Sequence, residues 1–418
     1  MKSASRQPVS TAALKIPDVR FFIASFGCFT LASRALAVVT GFQIYQITHS
    51  ALSLGWLGLI EAIPAISLVL FGGYAADHFN RRKILLITRA ASAACGLTLA
   101  ALSLSGHSTT LLGLYAVIFL AGIARGFADP ANSAFEAQVV PQHLTVNASS
   151  WIGGTMITCC IIGPAIIGFV FDAYGAMGSY TVITACFILS WIFTACMAPR
   201  PLAVPQKEPL LKSISMGWRF VFGNQPLLGA LTLDLFAMFF GGMMALLPIY
   251  AQDILHVGAK GFGFLNAAPA AGALVMMLLA TRHAPIRRAG HNLLWAVTGF
   301  GISVLIFAFS KNFALSLFAL FLSGAFDGIS MVIRRSMVRL LSPDEMRGRI
   351  SGVSWIFLTS SNELGAFESG FLAHLIGTVP CVAFGGVMTL LVVALTARFA
   401  PQLRRLRFDP QTLQRISD

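Results

Sequence analysis

Long apolar runs recur along this chain from residue 21 to residue 399, and they constrain its fold more than any other feature. A helix crosses the hydrocarbon core of a bilayer with about 20 consecutive apolar residues. Only 11% of the 418 residues are charged, about half of the share that is usual in soluble domains. The sequence therefore predicts an all-α membrane protein with twelve transmembrane helices. The predicted spans are residues 21–46, 53–76, 84–105, 110–135, 148–171, 178–197, 226–250, 261–281, 293–309, 313–335, 350–373 and 379–399.

The net charge of +13 is explained by where the basic residues stand. If the N-terminus is cytoplasmic, 25 of the 29 Lys and Arg residues fall on the cytoplasmic side of the spans, Arg89 and Arg334 among them. This bias is the positive-inside rule, so the charge indicates topology and not binding to nucleic acid. We expect a monomeric multi-pass protein of the bacterial inner membrane, embedded in the lipid bilayer, with both termini in the cytoplasm.

Two blocks of the sequence repeat without gaps, which predicts two six-helix halves in the same orientation. At an offset of 202 residues, the matched pairs are Gly122 and Gly324, Gly126 and Gly328, Pro141 and Pro343, Gly163 and Gly365, Gly168 and Gly370, and Gly175 and Gly377. At an offset of 205 residues, Gly58, Pro64 and Ala65 match Gly263, Pro269 and Ala270. The predicted organisation is a cytoplasmic N-terminal arm (1–20), a first half (21–197), a cytoplasmic linker with an amphipathic helix (198–225), a second half (226–399) and a cytoplasmic tail (400–418).

A glycine-rich and basic stretch, GGYAADHFNRRK, occupies residues 72–83 between the second and third spans. It resembles the signature loop of the major facilitator superfamily, whose glycine, aspartate and paired basic residues it matches at Gly73, Asp77, Arg82 and Lys83. Asn80 replaces the turn glycine of that loop, and Asn is the non-glycine residue that best tolerates a left-handed backbone.

The resemblance implies a gating role for this loop. Asp77 can lie at a neighbouring helix N-terminus, or pair with a base, and so lock one conformation of the cytoplasmic gate. Glu136, on the fourth span, is a candidate acidic partner of Arg82 and Lys83. The alternative interpretation is a basic loop that only sets the topology.

A second motif lies in the fifth span, where Gly163, Pro164 and Gly168 resemble the Gly-Pro-x-x-Gly-Gly motif of exporters in the same superfamily. Ile167 stands where the first glycine of the closing pair would be. The chain as a whole is similar to the bacterial branch of the superfamily that includes the enterobactin exporter and macrolide efflux proteins. This resemblance implies export by alternating access.

Ionisable residues inside spans are costly and therefore candidates for function. In the superfamily fold the first, fourth, seventh and tenth helices line the central cavity, which makes Arg34, Arg125, Asp234 and Asp327 candidate substrate-binding residues. Two fixed cations favour an anionic substrate, because arginine stays charged and binds carboxylates with two hydrogen bonds.

Buried carboxylates can load and release protons. The candidate proton-coupling residues are Glu61, Asp234, Asp327, Glu363 and Glu368. The alternative is that a pair such as Arg125 with Asp327, or Arg34 with an aspartate, only neutralises charge between the halves.

These patterns together predict a proton-coupled exporter, an antiporter, of a small amphipathic anion such as a siderophore. The alternatives are efflux of macrolides or other drugs, uptake of a siderophore or nutrient, an intramembrane enzyme and a non-transporting sensor. No catalytic constellation is found, so we do not expect an enzyme. No His or Cys residues have the spacing of a metal site, and no P-loop is present. We therefore expect no cofactor, no metal and no coupling to ATP.

Overall fold

The structure is a computed structural model that describes residues 11–104, 107–200, 210–282, 287–343 and 346–408. Every long element in these residues is a helix, which confirms the all-α prediction. The helices are α1 (Pro17–Thr48), α2 (Ala51–His78), α3 (Arg81–Leu102), α4 (His107–Val139), α5 (Thr145–Cys196), α6 (Leu210–Gly223), α7 (Gln225–Phe240), α8 (Gly258–Arg282), α9 (Ala289–Phe309), α10 (Phe313–Leu341), α11 (Arg347–Ile376), α12 (Thr378–Phe399) and α13 (Pro401–Arg405).

Within the described residues, ten helical segments are long and apolar enough to cross a membrane. One of them, Gln142–Cys196, is 55 residues long and contains the break described below. The helix α11 is 30 residues long but is not among the ten. Large apolar side chains are exposed along these segments, Ile87, Leu112, Leu278 and Trp295 among them, as expected for helices whose outer surface faces lipid. The exact number of twelve spans stays a prediction.

Two glycines that match at the offset of 202 interrupt the helical path at equivalent places. Gly175 breaks α5 with a φ of 66° and a ψ of −165°. Gly377 separates α11 from α12 with a φ of 91°. Only glycine adopts such a backbone at little cost, so this part of the sequence repeat reflects a repeated chain reversal.

Asparagine side chains begin three of the helices. The side-chain oxygen of Asn80 accepts a hydrogen bond from the Lys83 amide at 3.2 Å, and Asn224 and Asn312 cap α7 and α10 in the same way. Asn80 has a φ of −64°, so its tolerance of a left-handed backbone is not what this position uses. Asn suits the position because an N-cap residue needs a side-chain acceptor and an extended backbone.

The seventh predicted span, 226–250, is not one continuous α-helix. The helix α7 ends at Phe240 and is followed by a 3-10 turn over Gly242–Leu246 and a π turn over Tyr250–Ile254. Gly241 and Gly242 interrupt the apolar pattern and Pro248 removes a backbone donor, which together account for the break.

The predicted linker contains the helix α6, whose Val221 is buried against Leu231 and Ile350. The linker prolines at positions 201, 205 and 209 lie outside the described residues, as do the first ten residues of the predicted arm and residues 409–418 of the predicted tail. The location of α6 at the membrane surface stays a prediction.

The chain divides into two compact units. The first unit comprises Met1–Gln43 and Ile60–Gln206, and a buried apolar cluster in it includes Phe22, Leu85 and Phe135. The second unit comprises Ile44–Leu59 and Lys207–Asp418, and a buried apolar cluster in it includes Leu233, Leu293 and Met337.

The first unit contains a close crossing of α2 and α4 at glycines. A Cβ atom added at Gly122 would lie 2.5 Å from the carbonyl oxygen of Glu61 and 2.8 Å from Cγ of Pro64. One added at Gly126 would lie 3.0 Å from Cβ of Leu68. Small residues four apart let helix backbones approach closely in membranes.

The second unit repeats this crossing with the matching residues. A Cβ atom added at Gly324, the equivalent of Gly122, would collide with the backbone of Pro269, which is the equivalent of Pro64. One added at Gly328 would lie 3.0 Å from Cα of Ala273. The crossing of α4 with α2 and that of α10 with α8 are thus one packing arrangement used twice, and this accounts for the repeated blocks at offsets of 202 and 205 residues.

Residues 44–59, at the end of α1 and the start of α2, belong to the second unit. The Trp56 ring packs edge-on against Phe367 with ring centroids 5.2 Å apart. A Cβ atom added at Gly55 would lie 3.2 Å from Cα of Gly370, and the Tyr45 hydroxyl donates a hydrogen bond to Asp253. A small-residue helix contact with α11 therefore holds this segment.

Adjacent glycines of the 72–83 loop allow a matched test of the α2–α4 crossing. A Cβ atom at Gly72 would collide with the carbonyl oxygen of Gly126, whereas one at Gly73 would meet nothing within 4 Å. Overpacking costs about 1–3 kcal/mol, so Gly72→Ala should lower the unfolding temperature of the purified protein. Gly73→Ala should leave it unchanged or raise it, because alanine favours a helix by about 1 kcal/mol. Equal unfolding temperatures would contradict the crossing.

Candidate substrate and proton sites

The first unit contains an intramembrane charge cluster around Arg125 on α4. Its guanidinium donates to Glu61 of α2 at 2.9 Å and lies 3.6 Å from Asp129, one turn along its own helix. The three side chains are 37%, 32% and 36% exposed, in the order Arg125, Glu61 and Asp129. We call these three residues the first cluster.

The second unit contains a cluster of the same composition around Arg334 on α10. Arg334 pairs with Asp234 of α7 and lies 3.5 Å from Asp327, two turns earlier on α10. Arg334 and Asp234 are 11% and 7% exposed, and Asp327 is 29% exposed. These three residues, the second cluster, are therefore more deeply buried than the first.

A small cavity of about 10 Å³ lies beside the second cluster and is lined by Asp234, Asp327 and Ser330 among others. Among the described residues, Oδ1 of Asp327 and Oγ of Ser330 are buried without a hydrogen-bond partner. This volume is about that of one water molecule. These two oxygen atoms at the second cluster can therefore accept hydrogen bonds that Arg334 does not provide.

The clusters change the pairing that the sequence suggested. A pair of Arg125 with its repeat equivalent Asp327 was one alternative; in the structure Arg125 pairs with Glu61, and Asp327 lies 3.5 Å from Arg334. Asp327 is paired instead with Arg334, which the sequence analysis counted among the cytoplasmic charges. A basic residue near the end of a span can lie in a cytoplasmic loop or form a buried ion pair. Its position in the sequence alone does not distinguish the two.

Arg34 is placed differently from Arg125. Its side chain is exposed on α1, and it makes no hydrogen bond or ion pair with another described residue. Its charge acts on Asp129 at longer range. Of the two arginines that the sequence predicted for an anionic substrate, Arg34 is therefore the one whose donors are available.

Two further carboxylates of the second unit, Glu363 and Glu368, lie on α11. Glu363 lies against α2, since a Cβ atom added at Gly58 would be 3.8 Å from its Oε2 atom. Glu368 accepts a hydrogen bond from the Ser369 hydroxyl at 3.3 Å. Their role in proton coupling stays a prediction.

The signature loop is held by helix-end contacts. Arg82 donates to the carbonyl oxygens of Thr194 and Ala195 at 3.2 and 2.6 Å, which satisfies the last turn of α5. Asp77 is 48% exposed and lies 3.8 Å from Arg81, a residue that the motif match did not single out. Arg81 also donates to the carbonyl oxygen of Ala134 at 2.9 Å.

The remaining loop residues make fewer contacts. The Lys83 side chain is exposed, and Glu136 is half-buried on α4. Among the described side chains, Glu136 forms no ion pair with Arg82 or Lys83, so this candidate acidic partner is not paired with the loop in the structure. The gating role of the loop stays a prediction.

The exporter motif lies against the helix that carries Arg34. A Cβ atom added at Gly163 would lie 3.2 Å from the carbonyl oxygen of Leu31 and 3.5 Å from Cβ of Arg34. Gly163, Pro164 and Gly168 are all buried. The motif thus brings α5 close to α1 beside Arg34.

Arg89 on α3 is a polar residue that the sequence analysis missed. It is 1% exposed and donates to the hydroxyls of Ser25 and Thr194 at 3.1 and 3.2 Å. A second nitrogen donates to the side-chain oxygen of Asn132 at 2.9 Å, and the guanidinium lies 4.5 Å from the centre of the Phe29 ring. Arg89 follows Arg82 and Lys83 of the signature loop by a few residues, and for this reason it was counted with the cytoplasmic loop residues.

Comparison with known proteins identifies relatives along the whole chain. Residues 10–413 match the sequence profile of the transmembrane secretion effector family. The enterobactin exporter EntS of Shigella flexneri is 25% identical over 380 residues, which cover 90% of each chain. The enterobactin exporter EntS of Escherichia coli O81 is 26% identical over 385 residues with the same coverage.

Solved structures of transporters share the fold at low sequence identity. The nucleoside transporter NupG aligns with a TM-score of 0.73 and 12% identity, covering 91% of this chain and 99% of its own. A bacterial homologue of the human lysosomal transporter Spinster aligns with a TM-score of 0.72 and 12% identity, covering 94% and 98%.

A double substitution tests the pairing of the second cluster. Arg334→Gln leaves two buried carboxylates without their cation and should destabilise the protein by about 3–5 kcal/mol. Adding Asp234→Asn removes the more buried of these charges, so the double variant should recover most of the loss in unfolding temperature. The matched control adds Asp327→Asn to Arg125→Gln, and no such recovery is expected there. Recovery in the control alone would restore the pairing expected from the sequence.

Proposed function

Since the chain belongs to the transmembrane secretion effector family of the major facilitator superfamily, we propose that it exports a small amphipathic anion, such as a siderophore, in exchange for protons. It is a secondary transporter of small molecules and not an enzyme. The proposal places it in the bacterial inner membrane with both termini in the cytoplasm, working as a monomer by alternating access.

The single observation that carries proton coupling is the composition of the two clusters. Each has one arginine and two carboxylates, so each has an excess of one negative charge when all its groups are ionised. An excess charge in a low-dielectric span is costly, and binding one proton removes it. The second cluster is the more buried, and this favours Asp234 or Asp327 as the residue that carries the proton.

The substrate proposal rests on Arg34 and on the relatives. Arg34 is exposed on α1, and exported anions could use its donors without displacing a protein carboxylate. Arg125, by contrast, would have to release Glu61 first. The relatives named above are enterobactin exporters, and enterobactin is a siderophore. An anionic siderophore without its metal is the substrate class that unites the two observations.

A reconstituted system tests the function directly. Purified protein in liposomes with an acidic interior should accumulate metal-free enterobactin inside, because each proton that leaves drives substrate inward. A protonophore should abolish the accumulation, and Asp327→Asn should reduce it. Undiminished accumulation without a pH gradient would reject proton exchange.

The same liposomes distinguish the rival functions. Accumulation of erythromycin or ethidium but not of enterobactin would support drug efflux. Accumulation of enterobactin only when the interior is basic would indicate transport in the same direction as protons, hence uptake.

The substrate charge can be tested at Arg34. Arg34→Gln should weaken binding of metal-free enterobactin by about 1.5–3 kcal/mol, the range for hydrogen bonds to charged groups, as measured by calorimetry. Arg34→Lys keeps the charge and should retain most of the affinity. Binding of a neutral macrolide should be unaffected by either change. Wild-type affinity for enterobactin in Arg34→Gln would contradict the anion site.

The gating proposal is tested at Asp77. The pair with Arg81 is long, at 3.8 Å, and its Asp77 side chain is half-exposed, so it contributes no more than about 1 kcal/mol to stability. Asp77→Asn should therefore insert and unfold like the wild type, yet lose transport in the liposome assay. Normal transport by this variant would leave the loop with a topological role alone.

A further inference from the structure

The chain that follows α12 folds back onto the second unit. In the short helix α13, Leu403 is fully buried and belongs to the apolar cluster that includes Leu293. A Cβ atom added at Gly290, in the first turn of α9, would collide with the carbonyl oxygen of Leu403. The backbone of this tail is therefore in direct contact with the start of α9, and a side chain at position 290 would prevent the contact.

Two backbone hydrogen bonds continue this contact beyond α13. The Gly290 amide donates to the carbonyl oxygen of Leu406 at 3.4 Å, and the Phe408 amide donates to that of Arg287 at 3.3 Å. Arg407 stands between these two tail residues. Its backbone is therefore held against the residues that begin α9.

Exposed arginines gather at this border of the second unit. They stand just before α9, in the last turn of α12 and along the docked tail, and they are Arg287, Arg288, Arg398, Arg404, Arg405 and Arg407. None of the six forms an ion pair with another described residue. Because like charges repel, a surface that gathers them is stabilised by an anion. We call these six residues the arginine border.

Exposed aromatic side chains stand next to the arginine border. Phe399 follows Arg398 and is 70% exposed, and Trp295 of α9 is 62% exposed. Trp295 lies about 10 Å along the helix axis from Arg288, and its indole nitrogen donates to Nε2 of His291 at 2.9 Å. Tryptophan is enriched at the membrane–water interface, where its ring is amphipathic. This order along α9, a charge and then an amphipathic ring, matches a lipid headgroup and the start of its acyl chains.

We propose that the arginine border is a binding site for an anionic phospholipid, whose phosphate lies among the arginines of the tail and those that precede α9. Clusters of roughly four to eight basic residues next to a transmembrane helix are typical of anionic-lipid recognition, and arginine binds phosphate with two parallel hydrogen bonds. The positive-inside bias accounts for the side on which these charges lie, but not for the folded tail that gathers them. The site is separate from the residues of the proposed export function.

Lipid binding to the purified protein in detergent tests this site without transport. Native mass spectrometry should detect bound cardiolipin, an anionic phospholipid, at concentrations at which the zwitterionic phosphatidylcholine does not bind. Arg288→Gln combined with Arg407→Gln should weaken cardiolipin binding about 30-fold, or about fivefold for each arginine near an anionic surface. Equal binding of the two lipids by the wild type would overturn the site.

A matched double variant separates a built site from general attraction of charge. Lys15→Gln combined with Arg20→Gln also removes two exposed positive charges, but from the first unit and away from the docked tail. This control should bind cardiolipin like the wild type. If both double variants lost the same affinity, the proposal would be wrong, because only the net charge would then matter.

A further variant tests the docked tail with all six arginines present. Gly290→Ala places a methyl group against the carbonyl oxygen of Leu403, so the tail should leave α9 and cardiolipin should bind about as weakly as to the double arginine variant. The unfolding temperature without lipid reports whether this variant is folded, and Leu403→Ser replaces it if it is not. Wild-type affinity in the folded variant would contradict a site built by the tail.

Inorganic phosphate distinguishes a lipid site from a site for a soluble anion. Phosphate in excess over cardiolipin should not displace the lipid, because it lacks acyl chains that reach the aromatic side chains. Displacement at equal concentrations would overturn the lipid proposal. Neither result bears on proton exchange, which the liposome assay measures separately.

Discussion

Backbone contact at glycines determines where the intramembrane charges of this protein lie. On α4, Arg125 stands between Gly122 and Gly126, and these glycines bring the helix onto α2 beside the carbonyl oxygen of Glu61. The Arg125 side chain can therefore reach the Glu61 carboxylate across a short gap. On α10, Asp327 stands between Gly324 and Gly328 in the matching crossing. Larger residues at these glycines would separate the helices and lengthen every contact that depends on them.

The cost of burying charge explains why the polar groups are gathered and not dispersed. A lone arginine or carboxylate in a span is expensive, whereas a cluster spreads each charge over several partners. Both clusters have one excess negative charge when all their groups are ionised, and they differ in solvent exposure. The first is about a third exposed, and the second is nearly closed around Asp234. The two units therefore hold charge clusters of similar make-up that differ in burial.

Much of this fold could be predicted from the sequence because lipid imposes simple rules. The apolar runs predict the helices, and the repeated glycines predict two related halves that reuse the break at Gly175 and Gly377. The candidate site was predicted only in part. Arg125, Asp234 and Asp327 were recognised because they lie well inside spans. Arg89 and Arg334 were missed because they follow or precede loop arginines by a few residues, and only tertiary packing decides which of them turns inward. Asn80 was recognised as a substitute for glycine, but its physical role, capping α3, depends on a backbone conformation that composition does not reveal.

The assignment of residues 44–59 to the second unit has a consequence for biogenesis. This segment leaves the ribosome early, but its packing partners Phe367 and Gly370 follow roughly 300 residues later, which at about 5–20 residues per second takes about 15–60 s. During that time Gly55, Trp56 and the Tyr45 hydroxyl lack their final contacts and are in contact with lipid, water or the insertion machinery. Residues 44–59 therefore reach their final packing only after α11 is inserted. If the two predicted halves were expressed separately, residues 44–59 of the first would have to bind α11 of the second. The packing of this early segment is therefore completed only at a late stage of synthesis.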